Sequence, residues 1–316
     1  KDFKPVQVLY NTNGFGYGVF PVYQNKIHDY QNIKDEVSRG YQFINLYENM
    51  LNGTISPLQT YWVYLDAIYS ERNELITNYL SDRIQAIFWA FLTEEQQNNI
   101  QEKTENEILK LVEKELPSNI KKTLFGLYQS IAISAEGKEN LYQIWQKQKK
   151  IKNLFLNEDD FTSLAMKLAI FKHSKASDIL EVQLARVSNK DRLARFKWLL
   201  PSVSQDTIVR DAFMASLLQK ENREKESWVQ TALANIHHPL RHNSSIKHLK
   251  LILDKLEEVQ LTGDIFFPKG WLASSIGKYS SKDACKILTN FLEDNSDYNP
   301  ILVKKLLQTT DDLTRA

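Results

Sequence analysis

Helix-start signals recur along nearly the whole chain, and little else punctuates it. Ser56-Pro57-Leu58-Gln59 has Ser at an N-cap, Pro at the first helical position and Gln three residues after the cap. That is the arrangement of a capping box, worth about 1 kcal/mol. The same grammar appears at Thr93-Glu94-Glu95-Gln96, at Ser188-Asn189-Lys190-Asp191 and at Asn299-Pro300. Ser118, Ser134, Asn157, Ser204 and Ser280 read as further starts. Val37, Tyr41, Ile44, Met50 and Leu51 predict the apolar stripe of the first long helix, and Asn52-Gly53 predicts its end. Starts fall roughly every 15–25 residues, so helix pairs recur about every 40, the spacing of HEAT or armadillo hairpins. The sequence is not self-similar at that period, which predicts a degenerate array. The fold class expected is mainly α, a HEAT/armadillo-like α-α superhelix with a concave face. Ten glycines and 8 prolines in 316 residues favour long helices over a turn-rich β fold.

The first residues differ. Val6 to Tyr10 and Tyr17 to Tyr23 read as two strands around the turn chemistry of Asn11-Thr12-Asn13-Gly14-Phe15-Gly16. Nothing else reads clearly as a strand. Two strands alone are marginal in water, so the pair is expected to pack on the helices that follow or on a body outside the chain. Position 1 is Lys rather than Met. The chain is therefore expected to be the C-terminal piece of a larger protein. The division expected is a β-hairpin over 1–24 and a helical domain over 25–316.

Composition excludes some partners. Forty Lys and Arg against 39 Asp and Glu give a net charge of +1, which supplies no electrostatic reason to bind nucleic acid. The basic run Lys147 to Lys152 reads as a solvated helix end. No apolar run reaches the ~18 residues of a membrane span, so no membrane partner is expected. Cys285 is the single cysteine, inside a helical pattern, and reads as an inert thiol.

Four of the six histidines fall between His237 and His248. His237, His238 and His242 are the candidate metal ligands, and a zinc reading needs three or four groups converging tetrahedrally. His238 and His242 would share a face on a continuous helix, but Pro239 cannot continue one that includes the preceding turn. The competing reading is a helix-to-helix corner with histidines in caps and packing. Arg223 and Arg241 are candidate substrate contacts, because a guanidinium fork can hold a carboxylate. The alternative for Arg223 is an intrahelical pair with Glu226. H-E-x-x-H, G-x-S-x-G and a phosphate-binding G-x-x-x-x-G-K-[ST] loop are all absent from the sequence. No catalytic residue is assigned. Tyr61, Trp62, Tyr64, Tyr69, Phe88, Trp89 and Phe91 read as inter-helix core. Leu261 to Pro268 reads as a helix stop, an apolar plug and a new start at Pro268.

Val8 to Val22 (VLYNTNGFGYGVFPV) resembles the last strands of the β-sandwich domain of zinc aminopeptidases of the aminopeptidase N type, in their Bacteroidetes-like branch. Arg39 to Gly53 resembles the first helix of that family's C-terminal domain. ENREKESWV, HHPLRH, TGDIFFPKGW and YNPILVKKLLQTTDDLTRA resemble stretches near the family's C-terminus. The resemblance implies a HEAT-like superhelix over a thermolysin-like catalytic domain, closing the substrate chamber and meeting the far end of the peptide. The implied partners are the protein's own catalytic and β-sandwich domains and peptide substrates. Zinc belongs to that catalytic domain, and no cofactor is expected in this chain. The family's H-E-x-x-H helix and G-x-M-E-N loop are not found here, so no zinc ligand is carried over. The family branch leans toward a bacterial periplasm. The alternative is a stand-alone helical-repeat scaffold that binds a protein partner.

Overall fold

The computed structural model describes residues 8–23 and 27–316. Its helical residues fall into two compact units. One runs to Ala132 and takes in Ile151–Phe155; the other comprises Ile133–Lys150 and Leu156–Ala316.

The first unit holds α1 (Glu36–Leu51), α2 (Pro57–Ser70), α3 (Glu74–Ala86), α4 (Glu94–Glu113) and α5 (Ser118–Ile131), with one wider π turn at Ile87–Phe91. The caps expected at Ser56 and Thr93 are both full capping boxes. Gly53, at φ +73°, turns the chain out of α1 as Asn52-Gly53 predicts. Each helix packs on the next or the next but one: α1 on α2 and α3, α2 on α3 and α4, α5 on α3 and α4. The core they share contains Phe43, Tyr61, Tyr64, Phe88, Phe125 and Tyr128. Trp62, Tyr69, Trp89 and Phe91 are half-buried at its edges. The Tyr64 hydroxyl donates to the Phe43 carbonyl at 2.7 Å, which satisfies the one polar atom of a fully buried ring. Lys121, 1 % exposed, donates to the Lys152 carbonyl at 2.6 Å, tying Ile151–Phe155 to this unit.

The stripe predicted for α1 is corrected. Val37 and Ile44 are exposed, and the buried apolar residues are Phe43, Leu46, Tyr47 and Met50. A second face of α1 is polar and also covered. Ser38 donates to the Thr12 carbonyl at 2.6 Å and Gln42 to the Tyr10 carbonyl at 3.3 Å. Asn45 accepts from the Phe20 N–H at 2.8 Å and donates to its carbonyl at 3.0 Å, and Asn49 donates to the same carbonyl at 2.9 Å. These four residues recur at helical spacing, so one stripe of α1 holds the opening segment along its length.

That stripe bears on the expected hairpin. The turn chemistry is present: Gly14 N–H donates to the Asn11 carbonyl at 2.9 Å, and the Asn11 amide brackets Gly16. The described parts of the two segments, Val8–Tyr10 and Tyr17–Tyr23, form no strand, and Val6 and Gln7 lie outside the described residues. The Asn45 carboxamide instead gives Phe20 the donor and acceptor a neighbouring strand would supply. The Tyr10 and Phe20 rings stack with centroids 6.1 Å apart. The domain boundary expected near 24–25 falls on residues 24–26, also outside the described residues.

The second unit runs α6 (Ala135–Trp145), α7 (Glu158–Ile170), α8 (Ala176–Arg186), α9 (Lys190–Val203), α10 (Thr207–Leu217) and α11 (Glu226–Ile236). Shorter helices follow: α12 (His242–Ser245), α13 (Leu249–Asp254), α14 (Leu256–Thr262) and α15 (Phe267–Ala273). The last three are α16 (Lys282–Asp294), α17 (Pro300–Thr309) and α18 (Asp311–Arg315). Through α11 packing again runs to near neighbours: α7 meets α6, α8 and α9, and α11 meets α9 and α10; beyond it α15 meets α14 and α17 but also α11, four helices earlier, and α13 meets α16. Asn157, Ser134 and Asn299 cap helices as expected. The caps expected at Ser188, Ser204 and Ser280 fall instead on Asn189, Asp206 and Ser281. Among the described residues no helix is long and apolar enough to cross a membrane.

Replacing Asn45 by Ala is expected to cost about 1–3 kcal/mol, because it strands the Phe20 N–H. Denaturant unfolding measures the loss. Hydrogen exchange should show the Phe20 amide opening faster, and an unchanged Phe20 rate would disprove the bracket.

Candidate functional site

The five residues singled out by sequence all lie in the second unit, around the corner between α10 and α13. α11 ends at Ile236, His237 is its C-cap, and Pro239–Arg241 makes one 3-10 turn before α12. Pro239 breaks the helix as its chemistry requires, so His238 and His242 do not share a continuous helical face.

The imidazoles are parts of the packing. His237 is fully buried, with Nδ1 2.8 Å from the Tyr279 hydroxyl. The His242 ring stacks on the same tyrosine, centroids 3.8 Å apart and 13° from parallel. Its Nε2 lies 3.2 Å from the His237 carbonyl. His238 caps its own turn, with Nδ1 accepting from the Leu240 N–H at 3.3 Å, and its ring meets Phe171 edge-on. His248 meets the His237 ring edge-on, centroids 6.4 Å apart, and bonds Asp211, Nε2 to Oδ1 2.8 Å. Among the described residues no group of three His, Cys, Asp or Glu side chains is placed to hold a metal ion.

Burial sets the charge of these rings. It pushes His237 down to about 3, helped by His248 and His242, and His242 down to about 4. His238 is held well below the usual imidazole range by burial and then by Lys167 and Arg241. All three are neutral at pH 7. Burial also raises Tyr279, which stays a phenol. A base depressed by folding stabilises the fold above its unfolded value near 6.5. That contribution fades as pH falls from there toward the folded values.

Arg241 does not hold a carboxylate. It is 4 % exposed and grips main-chain carbonyls: Nη1 to Ser202 at 2.7 Å and Asn235 at 3.2 Å, Nη2 to Val203 at 2.9 Å and Ser204 at 3.3 Å. Ser202 and Val203 end α9, and Asn235 lies in the last turn of α11. One guanidinium therefore closes two helix C-termini, where orphan carbonyls and the negative end of the dipole favour a cation. Burial pulls its pKa down to about 9, with Arg210 adding to the shift, and leaves it charged at neutral pH.

Arg223 repeats the arrangement. Its Nη1 donates to the Leu217 and Leu218 carbonyls at 3.2 and 2.9 Å. Its Nη2 pairs with Glu258 rather than Glu226. Arg210 reaches back to Ser204 and Gln205 at 2.6 and 3.0 Å, and Arg39 to Ile33 and Lys34 at 3.0 and 3.2 Å. For Arg39, Arg210 and Arg223 these carbonyl acceptors lie five or six residues upstream, in a helix end or the turn after it; Arg241 has one such acceptor, Asn235, and reaches the other three across to the end of α9. Arg39 also forks onto buried Glu71, Nε to Oε2 2.7 Å and Nη2 to Oε1 3.0 Å. Burial alone would raise that carboxyl, but Arg39 and the amides of Asn73 and Arg72 outweigh it and hold it below the usual range.

An open groove of about 650 Å³ lies beside the turn that Arg241 holds. Ala176, Leu180 and Leu184 of α8 form one wall at one-turn spacing; Leu200, Pro201 and Val203 of α9, Val209 of α10 and Ala169 of α7 add to the apolar surface. Sequence reasoning marked none of these residues. The four-residue spacing on α8 is a visible signal, but core packing produces the same one.

Arg241→Met should destabilise the protein by about 3 kcal/mol or more, since it strands buried carbonyls. Arg241→Lys should recover only part of that, because an ammonium cannot span four acceptors. Urea unfolding reads both. His242→Gln keeps a donor for the His237 carbonyl but removes one buried base. The fall in Tm between about pH 7 and pH 5 should therefore be smaller than in the parent protein; an equal fall would show that His242 carries none of the acid lability.

No protein-family model matches the chain, and no curated protein is detectably similar to it.

Proposed function

We propose that the chain is a non-catalytic C-terminal domain of a zinc-dependent aminopeptidase of the aminopeptidase N type. In this reading it caps the active-site chamber and helps select peptide substrates, and the zinc sits in a separate catalytic domain. One observation carries it: helices packed on near neighbours occupy the stretch whose segments resemble that family's C-terminal helices. Neighbour-on-neighbour packing is what an α-α superhelix of hairpins requires, and that architecture is part of the proposal. The opening segment has its own place in it. Residues 8–23 would pair as strands only where a β-sandwich supplies the rest of the sheet, since two strands alone are marginal. Without that sheet, Asn45 serves Phe20 instead.

The second reading, a helical scaffold that binds a protein partner, is favoured by the apolar groove along α8. One measurement tests the non-catalytic assignment and a second separates the two readings. The purified chain is expected to hold no stoichiometric zinc by elemental analysis and to leave an aminoacyl anilide uncleaved. Zinc together with turnover would overturn the non-catalytic assignment. The genomic reading frame upstream of Lys1 is expected to encode H-E-x-x-H. A start codon directly before Lys1 would leave the scaffold.

A further inference from the structure

The groove along α8 has a composition that selects its occupant. Its apolar residues include large ones on both walls, Leu180 and Leu184 of α8 and Leu200 of α9, and smaller ones at Ala176 and Val209. From Ala176 to Leu184 the α8 wall runs about 12 Å at 1.5 Å per residue, a little over two helical turns. Its volume is that of a pocket able to bury several side chains. Among the described residues the charged ones lining it are Glu181 and Asp206, both carboxylates, with no Lys or Arg.

The far wall is formed in advance. The turn Ser204–Asp206 is held from behind by Arg210, on the Ser204 and Gln205 carbonyls, and by Arg241, on Val203 and Ser204. The Gln205 side chain donates to the Ala169 carbonyl, anchoring the same turn to the end of α7. Asp206 caps α10 through the Ile208 N–H at 2.8 Å. An occupant therefore meets a fixed surface and need not order it, which lowers the cost of binding.

We infer that this groove docks an amphipathic helix of a partner protein, with its apolar face against Leu180, Leu184 and Leu200 and its basic residues beside Glu181 and Asp206. A helix fits because anchors one turn apart on the occupant meet a wall whose side chains are one turn apart. Basic flanks fit because both charged residues lining the groove, Glu181 and Asp206, are carboxylates, and rim charge sets partner choice more than raw affinity.

The test is fluorescence anisotropy on the whole chain with two labelled peptides of equal length. One carries Leu and Lys on the helical period, the other Leu and Glu. The Leu/Lys peptide is expected to bind one-to-one and at least roughly tenfold tighter than the Leu/Glu peptide. Glu181→Lys lies on an exposed position and should retain the fold by circular dichroism. It should weaken the Leu/Lys peptide about tenfold and favour the Leu/Glu peptide. Leu180→Lys should weaken both. Failure of the Leu/Lys peptide to bind, equal binding of the two peptides, or binding untouched by both substitutions would each overturn the inference. So would a concentration-dependent dimer in sedimentation that the peptide does not compete, which would make a second copy of the chain the occupant.

Discussion

Helices that end inside a protein leave carbonyl groups that water cannot reach, and the second unit depends on how those ends are closed. Arg241 closes two of them at once. A guanidinium suits this because its donors lie in a planar fork and it stays charged when buried. Four acceptors from two helices and a turn then become one rigid node. Asn235 adds a bond to the Ser202 hydroxyl at 3.0 Å, and the Ser245 hydroxyl donates to the Ile236 carbonyl at 2.7 Å. Without this node α9, α11 and the turn after α9 would share an unpaired polar seam. Each carbonyl stranded in such a seam costs about 1–3 kcal/mol.

The helical class was legible because N-caps are local. Ser56, Thr93, Asn157 and Asn299 each pair with backbone groups two or three residues away, so the signal lies wholly within a short window. Where two candidates compete, the window is not enough. Ser188 stands beside Asn189 and Ser204 near Asp206, and in each case the later residue caps the helix. Asn189 and Asp206 each accept from the first backbone amides of their helices. The buried face of α1 was not legible for a different reason. Its covered surface includes Ser38, Asn45 and Asn49, polar residues that hydropathy assigns to solvent. They are buried because the opening segment lies across them, a tertiary fact that no periodicity encodes.

The histidine corner shows the same limit from the other side. A run of histidines after a helix suggests ligands only if the rings converge, and convergence depends on Tyr279, some forty residues later in sequence. Tyr279 occupies the space between His237 and His242, bonding one ring and stacking on the other. Arg223 and Arg241 were legible as unusual residues but not as carbonyl clamps. The available signal was their position a few residues after a helix stop, where orphan carbonyls are richest. Arg39 and Arg210 share that placement, so the pattern belongs to the turns of this chain and not to one site.

The clamps also explain how an apolar groove can exist beside a turn. Loop backbone ordinarily makes a poor wall for an apolar partner, because covering it strands its carbonyls. Here the Ser204 and Gln205 carbonyls are already taken by Arg210, and Val203 and Ser204 by Arg241. The Gln205 amide is spent on Ala169. Drying this wall therefore removes little hydration that matters, and the leucines of α8 and α9 can be covered at small polar cost. What remains unmet at the rim is the negative charge of Glu181, and beside it Asp206, whose carboxylate is only partly engaged by its cap. A surface whose backbone is satisfied from within and whose rim is acidic discriminates by charge at its edge, while its apolar floor supplies the contact area.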